Sequence, residues 1–156
     1  MKIKEPPKQN EYKQEHRKML RILWWNPELL KEGLKLDRIW MRNMEHVFDP
    51  TTQEKADLIF QDKFNAYNPE EGTICFVVEL KSDLGDHEIV GQLKKAVYRL
   101  DKKGKATGHW EQTVGIAIAR KFTQSGLELL WSEGFRAFTW SESNSGVELI
   151  EHVKKV

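Results

Sequence analysis

The stretch TICFVVELK, residues 73–81, is apolar until its end, where Glu79 and Lys81 stand two residues apart. Side chains alternate across an extended strand. Ile74, Phe76, Val78 and Leu80 therefore share one face, and Cys75, Val77, Glu79 and Lys81 share the other. A carboxylate and an ammonium project together from the end of a buried strand. One element earlier, ADLIF carries Asp57, with Ala56, Leu58 and Phe60 on the opposite face. If the two strands pair, Asp57 lies beside Glu79. Two adjacent carboxylates repel and are unfavourable alone. A divalent cation removes that penalty, and Mg²⁺ takes oxygen ligands while keeping several waters. Asp57, Glu79 and the carbonyl of Leu80 form such a ligand set. Lys81 is then placed to orient or help deprotonate an attacking water, or to stabilise a charged phosphoryl group.

These residues need a scaffold, and the chain supplies a changing period. Residues 10–25 read as a helix, with Tyr12, Met19, Ile22 and Leu23 apolar among charges. NPELLKEGLKLDRIWMRN reads as a second helix: Asn26 as N-cap, Pro27 in the first position, Glu28 in the first turn. Its buried stripe is Leu29, Leu30, Leu34 and Leu36. MEHVFDP, KADLIFQDKF and TICFVVELK then read as three strands of an antiparallel meander, with turns at TTQE and NAYNPEEG. DHEIVGQLKKAVYRL is an amphipathic helix, with Ile89, Leu93, Ala96, Val97 and Leu100 at helical spacing. KKGKATG reads as a loop, WEQTVGIAIAR as a strand, SGLELLWSEG as a helix, FRAFTWSE as a strand and GVELIEHVKKV as a terminal helix. Alternating strands and helices imply parallel neighbours with right-handed crossovers.

Composition sets the frame. The 156 residues suffice for one domain with a hydrophobic core. We expect a flexible leader over residues 1–9, MKIKEPPKQ, and a single α/β domain over 10–156. One cysteine leaves no intramolecular disulfide framework and no cysteine-rich zinc site. No run approaches the ~20 apolar residues of a membrane span, and the charged N-terminus has no signal-peptide core. The expectation is a soluble intracellular, cytoplasmic protein. The net charge is only +1, yet an acidic site inside a basic rim gives the same sum.

ADLIF with Asp57, VVELK with Glu79 and Lys81, and GQLKKAVYRL with Gln92 resemble the motifs of the PD-(D/E)XK nuclease superfamily. The order of aspartate, E-x-K and helical glutamine is similar to that of Holliday-junction resolvases and NucS-like endonucleases. The resemblance spans roughly residues 26–140, and Ala56 stands where the name motif has proline. It implies a restriction-endonuclease-like fold: a central mixed sheet with an antiparallel meander, then strand-helix-strand units, with helices on both faces. It further implies a metal-dependent deoxyribonuclease that uses Mg²⁺ or Mn²⁺, binds DNA and works as a homodimer. Asp57 and Glu79 would hold the metal, Lys81 would be the catalytic lysine and Gln92 would brace the site or the water. Glu28 is similar in placement to a first-helix glutamate that serves as a further ligand.

Each assignment has a plainer counterpart. Glu79 and Lys81 also read as a surface ion pair worth under ~1 kcal/mol. Glu28 also reads as a helix-dipole glutamate, and Gln92 as a solvated position on the face of Glu88, Lys95 and Arg99. His87 reads as a first-turn polar residue or a phosphate contact. His16, His46, His109 and His152 lack ligand spacing, which argues against zinc. KKGKATG lacks the spacing of a nucleotide-binding loop, although its lysines could meet DNA phosphates. HRKMLR reads as a solvated helix face or a DNA-facing edge. Trp24 and Trp25 read as packing residues or as platforms for unpaired bases. Two other functions stay open: a non-catalytic nucleic-acid-binding or assembly protein on the same fold, and a sheet-based interaction module.

Overall fold

The computed structural model describes residues 11–52, 54–63 and 73–155. The expected leader and the turn NAYNPEEG lie outside the described residues. In chain order the elements are α1 (Glu11–Trp25), α2 (Glu28–Leu34), β1 (Trp40–Asp49), β2 (Glu54–Gln61), β3 (Ile74–Gly85), α3 (His87–Thr107), β4 (Gln112–Phe122), α4 (Gln124–Ser132), β5 (Arg136–Ser143) and β6 (Gly146–His152).

The strands form one six-stranded sheet in the order β1-β2-β3-β4-β5-β6. The meander β1-β2-β3 is antiparallel, as expected from short turn-rich connections. The pairs β3-β4 and β4-β5 are parallel, with α3 and α4 as crossovers. Two cores result. On one face, Met19, Leu23 and Leu30 of α1 and α2 pack on Leu58, Val78, Leu80 and Ile118. On the other, Ile89, Leu93 and Leu130 of α3 and α4 pack on Ile59, Val77 and Ala117. The period-two alternation of β3 feeds both cores, which is why its centre is apolar on both sides.

The expectations for four segments need correction: α2, β1, KKGKATG and the C-terminal segment. Asn26 does not cap α2. It still belongs to the end of α1: its backbone N–H and its side-chain amide both donate to the Ile22 carbonyl, at 2.9 and 2.8 Å. The second helix is also short, because Lys35 adopts a left-handed conformation (φ 57°) and turns the chain after Leu34. The strand expected at MEHVFDP begins four residues earlier, at Trp40, because it pairs with the whole of β2. KKGKATG is not a loop but the last turns of α3. The buried indole of Trp110 rests on Gly104 and donates to the Leu100 carbonyl (3.1 Å), and Gly108 (φ 72°) ends the helix.

The fourth correction concerns the C-terminal helix, which is instead strand β6, a hairpin partner of β5. Val147 and Leu149 are buried while Glu148 and Ile150 are exposed. That is a period of two, which the short apolar run also allowed. The serine-rich turn before Gly146 (φ 124°) brings the chain straight back.

Gly104 offers a test whose sign is informative. Helix propensity alone favours Gly104→Ala by about 1 kcal/mol. A Cβ there would sit 2.2 Å from Trp110 Nε1, so the indole must leave its seat. Overpacking of this kind costs roughly 1–3 kcal/mol. We expect Gly104→Ala to melt lower than the parent by a few degrees in a thermal scan.

Candidate active site

The pairing of β2 with β3 runs from Gln61↔Cys75 to Leu58↔Val78. The printed register ends there, and the next residues along the two strands, Asp57 and Glu79, bring their carboxyl groups into contact with each other. There the ladder changes character. The Leu80 N–H donates not to a β2 carbonyl but to Asp57 Oδ2, at 2.8 Å. The same oxygen receives His16 Nε2 of α1 at 3.2 Å. With both bonds on Oδ2, Oδ1 is the oxygen left for Glu79 or a cation.

Both carboxylates are buried, Asp57 to 2% and Glu79 to 5% exposure. Burial by itself pushes Asp57 up. The hydrogen bond and charge of His16, the Leu80 N–H and Glu79 outweigh it, and Asp57 is held below its ordinary value. Glu79 is pushed far above the carboxylate range, first by burial and then by the negative charge of Asp57 and its hydrogen bond. Lys55 and Lys81 pull the other way without overcoming this. Burial and mutual repulsion thus disfavour charge on both members at once, and the donors around Asp57 favour charge there. Glu79 Oε1 is buried and has no hydrogen-bond partner. A buried polar atom without a protein partner is uncommon and leaves a place for a water or an ion.

Glu79 opens onto a cavity of about 210 Å³ whose lining includes Gln92, Lys55, Lys95 and Thr52. Gln92 thus faces the same space as Glu79. Lys81 projects from the same face of β3, and its charge reaches Glu79. Its ammonium lies 3.9 Å from Glu88 in the first turn of α3, where Asp86 caps the helix by accepting from Glu88 N. On β4, the residues in register with Glu79 and Lys81 are Ala117 and Ala119, small side chains that leave room beside the charges.

Glu28 is not brought to this cluster. It lies at the start of α2, which packs against β6 at the far edge of the sheet, and it pairs with Lys31 at 3.8 Å. His87 is exposed in the first turn of α3. Trp24 packs against the core, whereas Trp25 is 57% exposed. The residue that sequence reasoning set aside is His16. Its spacing to Met19, Leu20 and Leu23 puts it on the buried stripe of α1, a signal that it meets the sheet rather than water.

The donor set is two carboxylates that crowd each other, one oxygen without a partner, and the Leu80 carbonyl at the strand junction. It suits a hard divalent cation that keeps most of its waters. Among the described residues no group of three or more His, Cys, Asp or Glu side chains could hold a metal ion. A site enclosed by protein ligands, such as structural zinc needs, does not fit.

Three solved structures are similar to the chain, each 20% identical to it. They are EndoMS bound to double-stranded DNA (TM-score 0.55, 78% of this chain and 42% of that one), EndoMS in its apo form (0.57, 88% and 50%), and a repair endonuclease from Pyrococcus abyssi (0.56, 85% and 48%). The chain has a restriction-endonuclease-like fold. It spans about half the length of these neighbours or less. No family model matches it, and no curated protein does. No helix among the described residues is long and apolar enough to cross a membrane.

The geometry separates two substitutions that look alike in the sequence. Asp57→Ala leaves the Leu80 N–H buried without an acceptor, a loss of about 1–3 kcal/mol, so it should lower the melting temperature, and Asp57→Asn should restore most of it. Glu79→Gln should do the opposite in chelator. A carboxyl whose folded pKa is raised stabilises the fold below its unfolded value, and that contribution is lost as pH rises. Melting curves of Glu79→Gln and the parent should coincide near pH 4–5, then separate with the variant higher by several degrees near pH 8. A gap that does not change with pH would show that Glu79 titrates normally.

Proposed function

We propose that this chain is a metal-dependent nuclease that hydrolyses DNA phosphodiester bonds. The observation that carries the reading is the buried Asp57–Glu79 pair, whose partnerless Oε1 lies in a residue lining an open cavity beside Lys81 and Gln92. Asp57, Glu79 and the Leu80 carbonyl would hold Mg²⁺ or Mn²⁺. When bound, such a cation supplies Lewis-acid stabilisation of phosphate charge and an acidified water.

The chain's own residues do the rest. Asp57 stays ionised because His16 and the Leu80 N–H both donate to it, so it is ready to receive a cation at neutral pH. Glu79 must give up its proton for the cation to enter, and Lys81 and Lys55 lower the cost of that loss. Lys81, tethered only by a long contact to Glu88, is free to swing its ammonium to the attacked phosphate, where it offsets the growing negative charge. Gln92 reaches the same space from α3 with a neutral amide, suited to orienting a water without adding charge. Glu28 has no place in this site. Association of two copies, so that two sites address two strands, is part of the proposal.

Incubation of the purified protein with supercoiled, linear, single-stranded and branched DNA, with and without Mn²⁺, tests the reading directly. Metal-dependent cleavage is expected, abolished in Asp57→Asn and Glu79→Gln. Binding without cutting would favour the non-catalytic reading of the fold. Lys81→Ala should cut at least about 100-fold more slowly, because an ammonium acting on transition-state charge contributes on that scale, while DNA affinity falls far less. Equal losses in binding and turnover would count against a role in chemistry. Independently of cutting, Mn²⁺ should raise the melting temperature of the parent more than that of Glu79→Gln.

A further inference from the structure

A second and larger cleft adjoins the cavity at Glu79. Its volume is about 1000 Å³, and it lies between β1 and α3. The two spaces share Phe48, Glu54 and Lys95 in their linings, so they are neighbours. The α3 side is set by helical spacing. Gln92, Lys95, Arg99, Lys102 and Ala106 fall at intervals of three and four, with Lys103 beside Lys102, a single stripe from the cavity at Glu79 toward the end of the helix. At 1.5 Å per residue the stripe is ~21 Å long. The β1 side is apolar, with Val47 and Phe48 beside His46.

Charge and exposure along this cleft are one-sided. Arg99 is committed to the wall: it pairs with Glu54 at 2.6 Å and stacks on Phe48. Lys95, Lys102 and Lys103 form no ion pair among the described residues, so the cleft presents three uncompensated ammonium groups. Their field is felt nearby, where burial first and Lys103 second hold His46 below its ordinary value. In the same cleft Tyr98 is 66% exposed, with the Lys102 ammonium 5.6 Å from its ring centroid. Neither core contains this ring, so its face is open to a partner.

We infer that the α3–β1 cleft is a binding site for an unpaired nucleic-acid strand, with phosphates along Lys95, Lys102 and Lys103 and a base stacked on Tyr98. A closed duplex keeps its bases stacked on one another and offers such a ring nothing, whereas every unpaired base has a free π-face. The stripe has room for about six nucleotides at the ~3.4 Å spacing of a stacked strand. Its direction explains why it ends where it does: a strand lying in the cleft is led to the space that Glu79 and Gln92 line. The use of the strand rests on the nuclease reading; the affinity of the cleft does not.

The test is therefore made in chelator, where no cutting can occur. Fluorescence anisotropy is read on a labelled 12-nucleotide single strand and on a blunt 12-base-pair duplex, from about 50 to 200 mM salt. The single strand should bind at least tenfold more tightly than the duplex. Tyr98→Ala should weaken strand binding about tenfold or more, as loss of one base–aromatic stack does, while Tyr98→Phe keeps it. Lys102→Ala with Lys103→Ala should reduce the salt dependence of strand binding by about 1.4 in log–log slope, ~0.7 for each phosphate contact. Both sites are at the surface, and unchanged melting curves will show that the variants fold. Equal or tighter duplex binding, or strand binding that ignores Tyr98→Ala, overturns the assignment. Strand binding by a protein that cuts nothing in Mn²⁺ upholds the cleft and refutes the nuclease reading. Cutting by a protein whose strand binding ignores these residues does the reverse.

Discussion

The hydrogen bond from the Leu80 N–H to Asp57 Oδ2 is the hinge of the molecule. It forms where β2 and β3 cease to pair through their backbones. Without it, a buried N–H at the end of the ladder would lack an acceptor, a condition folded proteins avoid. The bond satisfies that group and, by doing so, places a carboxylate between two strands, opposite Glu79. His16 completes the arrangement from α1. Asp57 is thus structural and chemical at once. Glu79 is not: it sits where two charges cannot coexist in a dry space, and nothing donates to its Oε1. The fold holds one carboxylate by satisfying it and the other against its preference. Proteins tolerate such local strain mainly where function requires it.

The location of this pair follows from topology. β3 is the last strand of an antiparallel meander and the first strand of a parallel unit. On its β4 side the ladder continues to Gly85, with an irregularity after Lys81. On its β2 side the ladder stops at Val78. The C-terminal end of β3 therefore has one neighbour that stays and one that leaves, and side chains there open onto a crevice. Open α/β sheets bind ligands outside the carboxyl ends of parallel strands for the same reason.

Much of this was legible in the sequence because the relevant periods are short and strong. Alternation in residues 74–81 put Glu79 and Lys81 on one face, and the turn-rich connection made β2 and β3 antiparallel partners. Gln92 was given a role only by the family resemblance, since helical spacing set it on the polar face; it is exposed and lines the cavity at Glu79. What was not legible depends on contacts distant in the chain. α3 extends to Thr107 because Gly104 receives Trp110, and no local pattern announces an indole's seat. β6 is a strand because it has β5 to pair with; its seven residues alone fit either period. Asn26 has the composition of an N-cap but serves the helix before it. Glu28 looked like a ligand only while the position of α2 was unknown. His16 was dismissed for lack of ligand spacing, yet a histidine on a buried stripe always has a partner to be found.

Charge makes the same point at the scale of the whole chain. The net charge of +1 neither announces a polyanion partner nor excludes one. In space the sum separates into a buried acidic pair and a row of three lysines of α3, Lys95, Lys102 and Lys103, that form no ion pair among the described residues. The row exists because α3 turns one face to the core and has only its other face to spend on charge. The single glutamate of α3, Glu88, lies at its start, where it meets the helix N-terminus and lies 3.9 Å from Lys81. Lysines occupy its later turns, where the helix dipole favours them. On the proposed reading, the same polarity that stabilises α3 grades its surface from the carboxylates near β3 to the lysines near Gly108. A polyanion that follows this gradient arrives at the one place in the described structure where a buried carboxylate oxygen has no partner.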